Sequence, residues 1–133
     1  MSPVRQLSVA LRVMAGLDML AVAAMAAPWS WLSWAARLNG YEIGETVPLV
    51  HYLTRTASGM YVVYGALLWF LSLRPVHHAS VIRFLAWLSV VHSFAVLAVD
   101  WAVGMPLFWC TSEFGGHMAE AVILLLLLRR SNL

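Results

Sequence analysis

The ionisable residues that interrupt the apolar parts of this chain are the ones whose types and spacing could do chemistry. Glu113, His117 and Glu120 follow one another at intervals of four and three residues, so a helix would place all three on one face. His92 and Asp100 are eight residues apart and would share a face in the same way. Such side chains are costly inside a membrane, so they usually mark a binding site, a proton path or a specific pairing.

Two more ionisable residues extend this set. Asp18 lies in the middle of the first apolar run, and Arg55 lies in the second run, on the same helical face as His51 and Ser58. Polar faces on several helices would therefore meet in one half of the membrane. The predicted polar pocket consists of Arg55, Asp100, Glu113, His117, Glu120, His92 and Asp18.

The charges of this set do not balance. Four of the seven residues are acids and one is an arginine, and a low-dielectric site does not hold the remaining negative charges without compensation. Protonation of a carboxyl group or an imidazole, a bound cation or entering water would each compensate them. We expect Arg55 to form an ion pair with an acid on the third or fourth helix. Asp18 and Glu120 lie deepest, and at least one of them should be protonated at neutral pH.

Several of these residues also have structural interpretations. Arg55 could extend its side chain to the outer interface. Asp100 and Glu113 could lie at the water boundary, where a carboxylate costs little. His92 could be satisfied by a backbone carbonyl or a serine of a neighbouring helix. Asp18 and Glu120 lie too deep for their short side chains to reach water easily, so they lack such an explanation.

The elements that must position these residues are membrane helices. Of the 133 residues, 62% are hydrophobic and 11% are charged, with a mean hydropathy of +0.82, whereas a soluble domain carries about 25% charged residues. Apolar runs at 7–27, 49–73, 81–103 and 109–128 are each long enough to cross a core of about 30 Å. They lack the alternation of barrel strands. The sequence predicts an all-α bundle of four transmembrane helices, forming a single integral membrane domain.

The arginines predict how the spans are oriented. They flank the first span, the second connection and the end of the chain, whereas the other two connections and their flanks carry acids and only Arg37. Because basic residues near span ends stay on the cytoplasmic side, both termini are expected in the cytoplasm. The first run resembles a cleavable signal peptide, but Asp18 in its centre favours retention as a helix.

A tryptophan-rich stretch follows the first span. Trp31, Trp34 and Leu38 share a helical face, and tryptophan prefers the head-group region of a bilayer. The stretch predicts a short helix in the outer interface, ended by Asn39 and Gly40. An aromatic box for a ligand is the alternative.

Several classes of function find no support in the sequence. The eight basic residues are arginines scattered along the chain, so no nucleic-acid partner is predicted. Cys110, the single cysteine, excludes an internal disulfide and is interpreted as a small apolar residue in a loop. His117 and Glu120 have the spacing of one half of a di-iron motif, which needs the same spacing on a second helix. No metal site is predicted, and cofactors stay unassigned.

A set of motifs between about residue 55 and residue 113 carries a resemblance to a known family. These motifs are Arg55-x-x-x-Gly59, Tyr61, Gly65, Arg83-Phe84-Leu85 and Asp100-x-x-x-Gly104-Met105-Pro106-x-x-Trp109-x-x-x-Glu113. In them the chain resembles the DoxX-like proteins. The resemblance implies a small four-helix protein of the bacterial inner membrane, and some members are linked as membrane subunits to quinone-coupled respiratory or sulfur redox enzymes. Besides the lipid bilayer, it implies other membrane subunits or a quinone-like molecule as partners.

Three functions fit these observations. The first is a non-catalytic membrane subunit or small-molecule-binding module with an outward-facing intramembrane polar pocket. The second is a proton- or cation-coupled conduit that uses Asp18, His92 and Glu120 as relay stations, although only isolated serines lie further inward. The third is a membrane enzyme with His117 as general base and Glu113 or Glu120 as its partner. The first is favoured, and no catalytic residue is assigned.

Overall fold

The computed structural model describes residues 1–38, 40 and 48–133, and over these residues it contains helices and no strand. The predicted all-α fold is confirmed. Glu42 and Glu45 of the predicted outer loop lie outside the described residues. The helices are α1 (Pro3–Met19), α2 (Ala21–Ala26), α3 (Trp29–Leu38), α4 (Pro48–Leu73), α5 (Ala79–Val103) and α6 (Leu107–Arg130).

The described residues contain four helical segments that are long and apolar enough to cross a membrane. These segments are Pro3–Ala26, Pro48–Leu73, Ala79–Val103 and Leu107–Arg130. A hydrocarbon core of about 30 Å needs roughly 20 residues of helix, so each segment is sufficient. The chain is a small multi-pass integral membrane protein whose helices contact lipid.

The first span is bent, which its apolar run does not predict. α1 ends at Met19 and α2 begins at Ala21. Between them the Leu20 N–H lies 3.2 Å from the carbonyl oxygens of both Gly16 and Leu17. A shared bond of this kind tightens a helical turn without breaking the chain of hydrogen bonds. Asp18 therefore lies in the last turn before the bend.

The short helix predicted after the first span is present as α3. It begins directly after Pro28, and Trp31 and Trp34 are 67% and 63% exposed. α3 ends at Leu38, and Gly40 has a φ of 82°, a left-handed conformation that glycine adopts without a steric penalty. Asn39, predicted to end the helix together with Gly40, lies outside the described residues.

The chain divides into two compact units, one of Met1–Val13 with Phe70–Leu133 and one of Met14–Trp69. The single membrane domain inferred from the sequence stays a prediction. In the first unit, α5 and α6 pack against each other, and Ile82 and Leu85 of α5 and Leu124 and Leu128 of α6 are buried. These two helices carry most of the candidate site.

A short capped turn joins α5 to α6. Gly104 has a φ of 75°, and the Met105 N–H donates to the Asp100 carbonyl at 2.9 Å. This is the bonding pattern of a glycine-terminated helix end. α6 then starts directly after Pro106, whose fixed φ suits the beginning of a helix. Because the turn is short, α5 and α6 run antiparallel, and residues equally far from the turn lie opposite each other.

Two hydrogen bonds to Ser72 join α1 to the end of α4 in the first unit. Ser8 Oγ donates to the Ser72 carbonyl at 2.7 Å, and Arg12 Nε donates to Ser72 Oγ at 3.4 Å. The last carbonyls of a helix have no partner within the helix, so Ser8 satisfies an acceptor at the end of α4.

A glycine brings α1 and α4 together in the second unit. A Cβ added to Gly65 would lie 2.8 Å from the Ala15 carbonyl oxygen and 3.0 Å from Asp18 Cβ. Real Cβ atoms do not approach so closely, because carbon contacts are optimal at about 3.5–4.0 Å. The absence of a side chain at Gly65 therefore sets the distance between the two helices.

Candidate polar site on the last two helices

The residues predicted to form one pocket fall in both units. Asp18 and Arg55 belong to the second unit. The first unit holds the other five on α5 and α6, namely His92, Asp100, Glu113, His117 and Glu120. The predicted ion pair between Arg55 and an acid of the last two helices stays a prediction.

The two histidines of the last two helices touch. The ring centroids of His92 and His117 are 4.8 Å apart, and the ring planes are inclined at 75°. The edge of one imidazole thus faces the π surface of the other. His92 is exposed and His117 is half-buried, so the pair lies at the margin of the α5–α6 contact, where a ligand can reach it.

Glu113 is held by a neighbour on its own helix. Trp109 Nε1 donates to Glu113 Oε2 at 2.9 Å, across one turn of α6. The bond directs the carboxylate toward the start of α6, whereas His117 lies one turn further on. Glu113 is half-buried rather than fully exposed.

Asp100 is the most deeply buried acid of the site. Its residue surface is 8% exposed, and the side chain lies in the last turn of α5. Asp100 Oδ2 is buried without a hydrogen-bond partner among the described residues. The location of Asp100 at the water boundary of the membrane stays a prediction. Nearness to a helix end does not reveal which face of the helix is covered.

The position predicted for Cys110 is also wrong. Cys110 lies inside α6 and is 2% exposed, and its Sγ lies 3.5 Å from the Met105 carbonyl oxygen. The span predicted at 109–128 already contains Cys110, so the loop interpretation disagrees with that span as well as with the structure. α6 begins at Leu107, and Cys110 lies in its first turn, close to the turn that joins α5 to α6.

The buried residues of α5 and α6 change from polar to apolar with distance from the turn between the two helices. On the buried face of α5, Ser93 and Ser89 follow Asp100, and Ser93 Oγ donates to the Ser89 carbonyl at 2.7 Å. Beyond Ser89 the buried residues of α5 are Ala86, Leu85 and Ile82, and those of α6 are Ala121, Leu124 and Leu128. The buried faces are thus polar near the turn and apolar further from it.

Sequence reasoning missed the surroundings of Arg55. Its guanidinium donates to the carbonyl oxygens of Met25 and Ala27, the latter at 3.1 Å. One turn earlier on α4, the ring of His51 stacks on Trp29 with centroids 3.6 Å apart. No periodicity links residues on two helices joined by a long connection, so no sequence signal could reveal this cluster.

The described residues contain no group of three or more histidine, cysteine, aspartate or glutamate side chains placed to hold one metal ion. No family model, no curated protein and no solved structure matches the chain.

Proposed function

We propose that this protein is a non-catalytic membrane subunit or small-molecule-binding module, with a polar pocket that opens toward the outer face of a bacterial inner membrane. The observation that carries the proposal is the buried Oδ2 of Asp100, which has no hydrogen-bond partner in the part of the chain that the structure describes. The relation to DoxX-like proteins and the cytoplasmic location of both termini are part of the same proposal.

The chemistry of Asp100 indicates what the pocket would bind. A buried acceptor without a donor costs about 1–3 kcal/mol, and a charged one costs more. A ligand that brings a hydroxyl group, an ammonium group or a cation to Asp100 removes this cost. His92 precedes Asp100 by eight residues of α5, about 12 Å along the helix, and its ring contacts that of His117. In the neutral state each imidazole has one hydrogen-bond donor and one acceptor. A quinone-like head group, whose reduced form carries hydroxyl groups, fits this combination, as does a small cation.

The distribution of polar groups favours a pocket over a conduit. A relay across the membrane needs polar groups along its whole path. On α5 and α6 the buried polar residues stop at Ser89, and leucines and alanines continue from there. The hydroxyl of Ser93 donates to a carbonyl of its own helix. Both features support a site that is closed at one end.

The test is a thermal-unfolding series on the purified chain in detergent. Sodium, potassium, magnesium and calcium salts and a short-chain quinone with its quinol are added singly to wild type and to Asp100→Asn. At least one ligand should raise the unfolding temperature of wild type and leave that of Asp100→Asn unchanged, because a ligand at one hundred times its Kd stabilises by about 2.7 kcal/mol.

The exposed Ser112 on α6 supplies the matched control, and Ser112→Ala should respond as wild type does. Identical responses of wild type and Asp100→Asn to every ligand would contradict the proposal. The asparagine keeps the size of the side chain, so a difference between the two reports the carboxylate.

A further inference from the structure

A second polar cluster lies in the other unit, where the first span passes into α3. The rings of Trp29 and His51 stack with their planes inclined at 24°. Trp29 Nε1 is buried and has no hydrogen-bond partner among the described residues. An indole N–H can only donate, so this position requires an acceptor.

Arg55 supplies the positive charge of the cluster. It follows His51 by one turn of α4, and its guanidinium bonds the carbonyls of Met25 and Ala27, two residues before Trp29. The bonds hold the guanidinium next to the residues that lead into α3. Both acceptors are neutral, so they orient the guanidinium and, within the part of the chain that the structure describes, add no negative charge to it. Its planar fork has five N–H donors, more than two carbonyls use.

The acid nearest to this cluster among the described residues of its unit lies far away. Between 14 and 69 the described acid is Asp18, which packs at Gly65. Gly65 follows Arg55 by ten residues of α4 (65 minus 55), which corresponds to about 15 Å along the helix. Within the described residues of this unit, the cluster therefore has several donors and no nearby carboxylate, a combination that favours an anion.

We propose that Trp29, His51 and Arg55 bind a phosphate group, supplied by the head group of a phospholipid. A phosphate offers several acceptor oxygens, and arginine binds it through short charge-assisted bonds. The cluster lies near the end of the first span at Ala26 and the start of α4 at Pro48, where head groups lie in either orientation of the chain. This site is additional to the pocket proposed on α5 and α6. It gives Arg55 a partner other than a carboxylate.

The experiment is a lipid titration of the purified full-length chain in detergent, followed by native mass spectrometry. The probes are phosphatidylglycerol, phosphatidylcholine and, as a phosphate-free control, diacylglycerol. The wild-type chain should retain one phospholipid and no diacylglycerol. Arg55→Leu should weaken phospholipid binding at least tenfold, because a charge-assisted bond and the matching charge are lost.

Trp29→Phe keeps the test decisive if Arg55→Leu does not fold. Phenylalanine preserves an aromatic ring against His51 and removes only the N–H donor, so binding should weaken severalfold. Trp31→Phe is the matched control, because Trp31 is an exposed tryptophan of the same helix. It should bind phospholipid as wild type does.

Inorganic phosphate distinguishes the two sources of the ligand. If it displaces the phospholipid at millimolar concentration, the site takes phosphate from solution as well; if it does not, the lipid is the ligand. Equal retention of phospholipid by wild type, Arg55→Leu and Trp29→Phe would overturn the proposal. Retention of diacylglycerol as strong as that of phospholipid would overturn it too.

Discussion

Replacing Gly65 by alanine should lower the stability of the folded protein, although alanine is the better helix former. The added Cβ would lie 2.8 Å from the Ala15 carbonyl oxygen, 2.9 Å from Met19 Cγ and 3.0 Å from Asp18 Cβ. The closest of these atoms belongs to the backbone of α1, which cannot rotate away as a side chain can. The two helices would have to separate, and the contacts around Asp18 would be lost with them.

The size of the effect follows from two opposing contributions. Forcing an extra methyl group into a packed contact costs about 1–3 kcal/mol. Alanine in place of glycine inside a helix gains up to about 1 kcal/mol. A Cβ added at Gly59 would lie 3.7 Å from Met25 Sδ, which is an ordinary van der Waals distance. At Gly59 the substitution therefore has the gain in helix propensity without the cost of a clash. Gly65→Ala should thus be less stable than Gly59→Ala by about 1–3 kcal/mol, because the helix-propensity gain cancels between them.

The assay is reversible unfolding of the purified chain in mixed micelles by increasing sodium dodecyl sulfate, followed by circular dichroism. Gly115→Ala serves as a second control, since nothing lies within 4 Å of a Cβ added there. Both controls should be at least as stable as wild type. Equal stability of Gly65→Ala and Gly59→Ala would show that α1 and α4 do not approach each other closely at Gly65, which contradicts this prediction.

Three further predictions concern different parts of the chain. Ser8→Ala should lower the free energy of unfolding by about 1 kcal/mol, because it removes the donor to the Ser72 carbonyl; an unchanged unfolding curve would count against that bond. At least one of Asp18→Asn and Glu120→Gln should have the unfolding temperature of wild type. An amide resembles a neutral carboxyl group, so replacing a protonated acid by its amide should cost little stability. Infrared difference spectra of the two variants would assign the carboxyl bands, and a loss of stability in both would disprove neutrality. A reporter enzyme that works only in the cytoplasm should be active when it is fused after Leu133. Activity of a reporter that works only in the periplasm would show that the orientation is the opposite of the predicted one.

The four spans could be predicted from the sequence because length and apolarity alone decide whether a helix can cross a membrane. The bend at Leu20 could not be predicted, since no proline marks it. The burial of Cys110 could not be predicted, because the sequence does not show which face of the last helix other helices cover.

The candidate site was predicted in part. Helical spacing identified the ionisable residues of α5 and α6, and the contact between His92 and His117 follows from an antiparallel pair with a short turn. The buried Oδ2 of Asp100 and the bond from Trp109 to Glu113 depend on which face is covered and on side-chain rotamers. Single-sequence periodicity contains neither kind of information. The stack of Trp29 on His51 joins two helices with no shared pattern, so it required the structure.

Mass spectrometry of the complex, gently extracted from its own membrane, tests the proposed binding module most directly. Wild-type protein should carry a bound small molecule, cation or partner subunit that remains after exchange of the surrounding lipid. The Asp100→Asn variant should lose it, because the unpartnered carboxylate oxygen is what the ligand satisfies. The account would be contradicted if wild-type protein carried only lipid and its complexes had the same bound mass as those of Asp100→Asn.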